Sequence, residues 1–167
     1  ALTVSKSGSG SGTVTSSPAG IHCGSDCSES YTYGYSVTLT ANPTSGSLFG
    51  GWSGACSGTA ACQVTLNQAQ NVTATFNLNC SYSINPSHRN HEHNIGSGNV
   101  SVTASDAQCP WTATPNTSWV TITLGNSGKG DGTVSYSMTA NPNTESRTGT
   151  LTIASQTFTI TQKAPVS

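Results

Sequence analysis

Val, Thr and Ile recur at every second position through most of this chain, and Gly, Asn-Pro or Ser-rich stops interrupt the pattern every few residues. A period of two sends successive side chains to opposite faces of a pleated strand, so the chain is written for sheets and not for helices. Val37-Thr38-Leu39-Thr40-Ala41, halted by Asn42-Pro43, is the clearest strand of the first half. In the second half, Thr150-Leu151-Thr152-Ile153 and Phe158-Thr159-Ile160-Thr161-Gln162 read as a closing hairpin. One alternating pattern ends at Phe76 and a different one begins at Cys80, which divides the chain into modules 1–77 and 78–167. At about 3.3–3.6 Å per extended residue, Asn77 to Asn79 separate the modules by only about 10 Å, and a short jointed rod is expected.

Charged residues make up 7% of the chain and about a third of its residues are Ser or Thr, so solubility rests on hydroxyls. Disorder normally pairs high net charge with few β-branched residues, whereas the net charge here is -1 and β-branched residues abound. Five basic and six acidic residues leave no basic stripe for phosphates and no cationic amphipathic helix. Nucleic acid is therefore excluded as a partner, and so is membrane insertion, since no apolar run of about 18 residues occurs. No signal peptide is visible, and a mature or trimmed form is expected.

The six cysteines fall as Cys23 and Cys27, Cys56 and Cys62, Cys80 and Cys109. Pairing sequence neighbours keeps each bridge inside one module, and four cysteines in the first module offer zinc as the competing reading. Neither early pair has the two-residue spacing of a zinc knuckle, so disulfides are expected, and with them an oxidising compartment outside the cytoplasm.

In the first module, Leu2-Thr3-Val4-Ser5 and Thr13-Val14-Thr15-Ser16 flank Gly8 to Gly12 and read as a hairpin with a flexible tip. Phe49-Gly50-Gly51-Trp52-Ser53-Gly54 sets aromatics among glycines, which serves either a core plug or a sugar platform; a module this small needs them in its core. With the closing Val72-Thr73-Ala74-Thr75-Phe76, these segments resemble the bacterial surface-repeat family related to the internalin-type B-repeat. That resemblance implies a small β-rich extracellular module used for spacing or display.

In the second module, seven short strands point to a β-sandwich. Cys109-Pro110-Trp111, Trp119-Val120-Thr121-Ile122, Gly128-Lys129-Gly130-Asp131-Gly132, Asn141, Arg147-Thr148-Gly149 and the terminal Gln162 resemble the BACON domain family. The resemblance, over residues 80–163, implies an immunoglobulin-like sandwich in bacterial secreted and surface proteins, with carbohydrate binding attached to the family's name. The expected architecture is thus all-β, a small repeat module followed by an immunoglobulin-like β-sandwich.

Two constellations carry possible chemistry. His88-Arg89-Asn90-His91-Glu92-His93 gathers three of the four histidines; on an extended segment His91 and His93 share a face, with His88 or Glu92 as a third ligand for Zn, Cu or Ni. The competing reading is a solvated polar loop without a cofactor. Tyr31, Tyr33 and Tyr35 share one face if extended and would form a stacking row for glycan. No nucleophile elbow flanks any serine, and six scattered acids offer little chance of a converging pair, so no enzyme is expected. The chain reads as a secreted or cell-surface structural protein, a spacer, display unit or filament subunit; the alternative is a carbohydrate-binding adhesion module. Low charge leaves few gatekeepers on strand edges, and association into a homo-polymer through Leu2-Thr3-Val4-Ser5 is the corresponding expectation.

Overall fold

The computed structural model describes residues 1–166, and among them every regular element is a strand. The chain divides into two compact units, Ala1–Asn79 and the residues from Cys80 onward. The first holds β1 (Leu2–Ser7), β2 (Gly12–Ser17), β3 (Ser28–Glu29), β4 (Ser36–Pro43), β5 (Ser47–Gly54), β6 (Cys62–Thr65) and β7 (Gln70–Leu78). They form one sheet of order β3-β1-β7-β5 and another of order β2-β4-β6. Alternation explains the core: Leu2 and Val4, Val14, Val37 and Leu39, Val64, and Val72, Ala74 and Phe76 are the buried members of their strands. Trp52 joins them, its Nε1 donating to the Ala60 carbonyl at 2.7 Å and its ring 4.9 Å from Phe49, so the aromatic cluster is a core plug.

β1 and β2 do not form the expected hairpin; they lie in different sheets, and β1 runs parallel to β7 from Leu2↔Gln70 to Ser7↔Thr75. The glycine segment between them is not a free tip either. It crosses between the sheets against the end of β7: Gly10 N–H donates to the Phe76 carbonyl at 2.9 Å, and a Cβ on Gly12 would lie 2.3 Å from the Phe76 ring. Nor is β1 an open edge, because β3 and the Cys27 carbonyl, which accepts from Val4 N–H at 2.8 Å, flank its other side. Both side chains that a first-strand exchange would withdraw, Leu2 and Val4, are core residues.

The second unit holds β8 (Tyr82–Asn85), β9 (His88–His91), β10 (Gly96–Ala104), β11 (Pro110–Pro115), β12 (Val120–Leu124), β13 (Ser127–Lys129), β14 (Gly132–Met138), β15 (Arg147–Ile153) and β16 (Gln156–Gln162). Two sheets, β12-β14-β10-β8 and β13-β11-β15-β16-β9, share a core around Tyr136, Phe158, Leu151, Ile153 and Ile160. Two of the nine strands, β9 and β13, are the short edges of their sheet, where pairing needs a neighbour and not a strong alternating pattern. Cysteines bond as Cys23–Cys27, Cys56–Cys62 and Cys80–Cys109, each bridge inside one unit. The ends of β9, β14 and β16 are tied by buried Gln162, whose amide donates to the carbonyls of His93, Asn94 and Thr139 at 3.1, 2.8 and 3.1 Å.

Candidate functional site

An open cleft of about 610 Å³ lies in the second unit. β8 contributes Tyr82; β11 contributes Pro110, Trp111 and Thr112; edge strand β13 contributes Ser127 to Lys129; and the β15–β16 turn contributes Ala154 and Ser155. Each part is held. Trp111 is buried, its Nε1 donating to the Gly130 carbonyl at 2.7 Å, and the Tyr82 hydroxyl donates to the Pro110 carbonyl. The turn is tied to β11 by Ala154 N–H on the Thr112 carbonyl at 2.9 Å. Ala154 and Ser155 both adopt left-handed backbone, with φ of 49° and 62°, a conformation that costs non-glycine residues about 1–2 kcal/mol each and persists where the surroundings dictate it. Lys129 is the one charged residue among those lining the cleft. Apolar walls with a few hydroxyls and an ammonium at the rim suit a largely neutral, hydroxyl-rich ligand. Sequence reasoning singled out none of these as binding residues, though Gly128 and Gly132 carried a signal: a Cβ on either would stand 2.4 Å from Trp111 Cζ2.

The histidine segment does not converge. His88 to His91 form β9, paired in parallel with β16 from Thr159↔His88 to Gln162↔His91, and the strand ends there, so the alternation that aligns His91 with His93 stops before His93. The His91 Nε2 lies 2.9 Å from the Tyr136 hydroxyl, and Glu92 is engaged by Lys163 at 2.7 Å. Among the described residues no group of three or more His, Cys, Asp or Glu side chains is placed to hold a metal ion. Burial, and secondarily the nearby Arg89 guanidinium, holds the His91 imidazole below its ordinary pKa, while burial raises that of Tyr136.

The tyrosines do not form an alternating row. Thr32 to Tyr35 make a turn closed by Tyr35 N–H on the Thr32 carbonyl at 3.1 Å, with Gly34 at φ 78°, which reverses the chain between the second and third rings. Tyr31 packs on the core, whereas Tyr33 and Tyr35 are 80% and 49% exposed. Tyr31 and Tyr35 nonetheless line a common shallow cleft with Pro18, and Tyr33 does not.

Two all-β modules, the second an immunoglobulin-like sandwich with a cleft at one sheet edge, define a disulfide-bonded modular protein. Residues 2–80 match the family model described as Divergent InlB B-repeat domain, and residues 110–163 match the BACON model, described as "Putative binding domain, N-terminal". Each match covers less than half of the chain, and the two families matched are both non-catalytic. No curated protein matches the chain. Among solved structures it is similar to a Bacteroides ovatus GH5 xyloglucanase in complex with a XXXG heptasaccharide, at 15% identity and a TM-score of 0.45. The likeness covers 51% of this chain and 19% of that one.

Proposed function

We propose that this chain is a non-catalytic binding module of the bacterial cell exterior whose second unit takes a neutral carbohydrate in the cleft between Tyr82, Trp111 and Ser155. The cleft carries the reading: it is apolar, open to solvent, rimmed by the hydroxyls of Thr112, Ser127 and Ser155, and built on locked backbone. Pre-set walls lower the ordering cost of binding, and a sugar chain offers apolar faces and hydroxyl edges to match such a lining. The match of this unit to a family described as a binding domain supports it, as does a chain with few charges to recruit ionic ligands. The three disulfides and the surface-repeat match of the first unit support the external location and a display role for that unit.

The test is a titration of the full chain with cellohexaose, xylohexaose and mannohexaose, followed by amide and indole resonances. One of the three should shift the Trp111 indole and the Ser127 to Lys129 amides, and Ser127→Trp, which fills the cleft from an exposed position, should abolish those shifts. Silence of these resonances toward all three sugars would overturn the reading.

A further inference from the structure

The first unit carries a second concavity, of about 270 Å³, lined by Pro18, Ala19, Ser30, Tyr31, Thr32 and Tyr35. The Tyr31 ring and the backbone that bears Tyr35 are both held from behind. The Tyr31 hydroxyl lies 2.8 Å from the Ser16 hydroxyl, which donates to the Pro18 carbonyl at 2.9 Å and accepts from Ile21 N–H at 2.9 Å, so one hydrogen-bonded chain joins the ring to the floor beside it. The backbone bearing Tyr35 is pinned on both sides of the turn: Gly34 N–H donates to the Leu66 carbonyl at 3.0 Å and Leu66 N–H donates to the Tyr35 carbonyl at 2.9 Å. A ring 49% exposed on so constrained a backbone is a prepared surface, and it contrasts with Trp52 and Phe76, which the same unit buries.

The chemistry of the lining selects the ligand. No charged side chain lines this cleft, so an ionic ligand finds no partner among its lining residues. Two tyrosine rings and a proline offer faces that accept polarised C–H groups, while the Ser30, Thr32 and Tyr hydroxyls offer hydrogen bonds at the edges. That combination of an apolar face and hydroxyl edge is the complement of a neutral pyranose ring.

We infer that the Pro18, Tyr31 and Tyr35 cleft is a second saccharide site, separate from the cleft of the second unit and independent of it.

The same hexaose titration of the full chain separates the two sites, because the Tyr31 to Tyr35 amides report the first unit and the Trp111 indole the second. Expected are shifts at Tyr31 to Tyr35 with a neutral hexaose, weakened on the order of tenfold by Tyr35→Ala and preserved by Tyr35→Trp, with the Ser127 to Lys129 shifts unchanged. No shift at Tyr31 to Tyr35 with any of the three sugars overturns the inference, and so does equal affinity in Tyr35→Ala. Shifts at these residues on raising the protein concentration alone, with no sugar effect, would assign the patch to a second copy of the chain and overturn it too. Responses at Tyr31 to Tyr35 with a silent Trp111 would instead remove the second-unit reading and leave this one standing.

Discussion

Gly128 and Trp111 face each other across the β11–β13 pairing so closely that a Cβ on Gly128 would stand 2.4 Å from Trp111 Cζ2. Gly132 closes on the same atom at the same distance from the start of β14. The glycines of Gly128-Lys129-Gly130-Asp131-Gly132 are thus partly a mould for an indole. Gly132→Ala forces the ring or a strand to move and should lower the stability of the second unit by about 1–3 kcal/mol, the usual cost of overpacking. Urea denaturation followed at the tryptophans checks this, and an unchanged midpoint would mean that the indole has room to swing.

Gln162 illustrates a different kind of dependence. Its side chain is fully buried, serves three carbonyls with its amide, and accepts from Arg147 Nε at 2.9 Å; Arg147 in turn lies 4.1 Å over the Trp119 ring. Gln162→Leu keeps the volume but removes the donor from the Asn94 carbonyl and the acceptor from Arg147 Nε, while the His93 and Thr139 carbonyls keep Asn141 N–H and Arg147; a polar group left unpaired costs about 1–3 kcal/mol. The loss should therefore reach at least the lower part of that range in a thermal melt, with Gln162→Glu intermediate because it keeps the Arg147 contact. A Leu variant as stable as the parent would show that water replaces the amide.

The His91 and Tyr136 pair makes stability depend on mild acid. The folded-state pKa of His91 lies below its unfolded value, so between the two the unfolded chain binds more protons. The contribution of His91 is whole above about pH 6.5 and declines as the pH falls through that value toward the folded one. Melting temperatures from pH 7.5 to 5.5 should fall more steeply for the parent than for His91→Gln, which keeps a hydrogen-bond partner for Tyr136. Parallel curves would assign the acid sensitivity to other groups.

The three disulfides close loops of very different length. Cys80–Cys109 spans a separation of 29 and Cys23–Cys27 only 4. On the chain-entropy account their removal costs about 3.6 and about 2 kcal/mol respectively. Paired Ala substitutions, compared by denaturant midpoint, should preserve that order; a larger loss at Cys23 and Cys27 would point to native packing around Cys23 as the main contribution.

The class of fold and the identity of most core side chains were legible in the alternation, because period two is a local property that states which face of a strand meets the core. Leu2, Val4, Val37, Leu39, Val72, Ala74 and Phe76 are buried for that reason, and the motifs around Trp52 and Trp111 carried the two family resemblances. The closing hairpin of β15 and β16 was legible because its strands are neighbours in the chain, whereas partnership between distant strands was not, since their patterns are interchangeable. Only the tertiary structure sends β1 to β7 in place of β2, and only it recruits His88 to His91 as an edge strand beside β16. The clefts belong to the same class of fact. Tyr82, Trp111, Ser127 and Ser155 come from four elements, and Tyr31 meets Tyr35 through a turn at Gly34 and not through strand periodicity. A face is written in neighbouring residues, whereas a site is made by the non-local pairings that bring distant faces together.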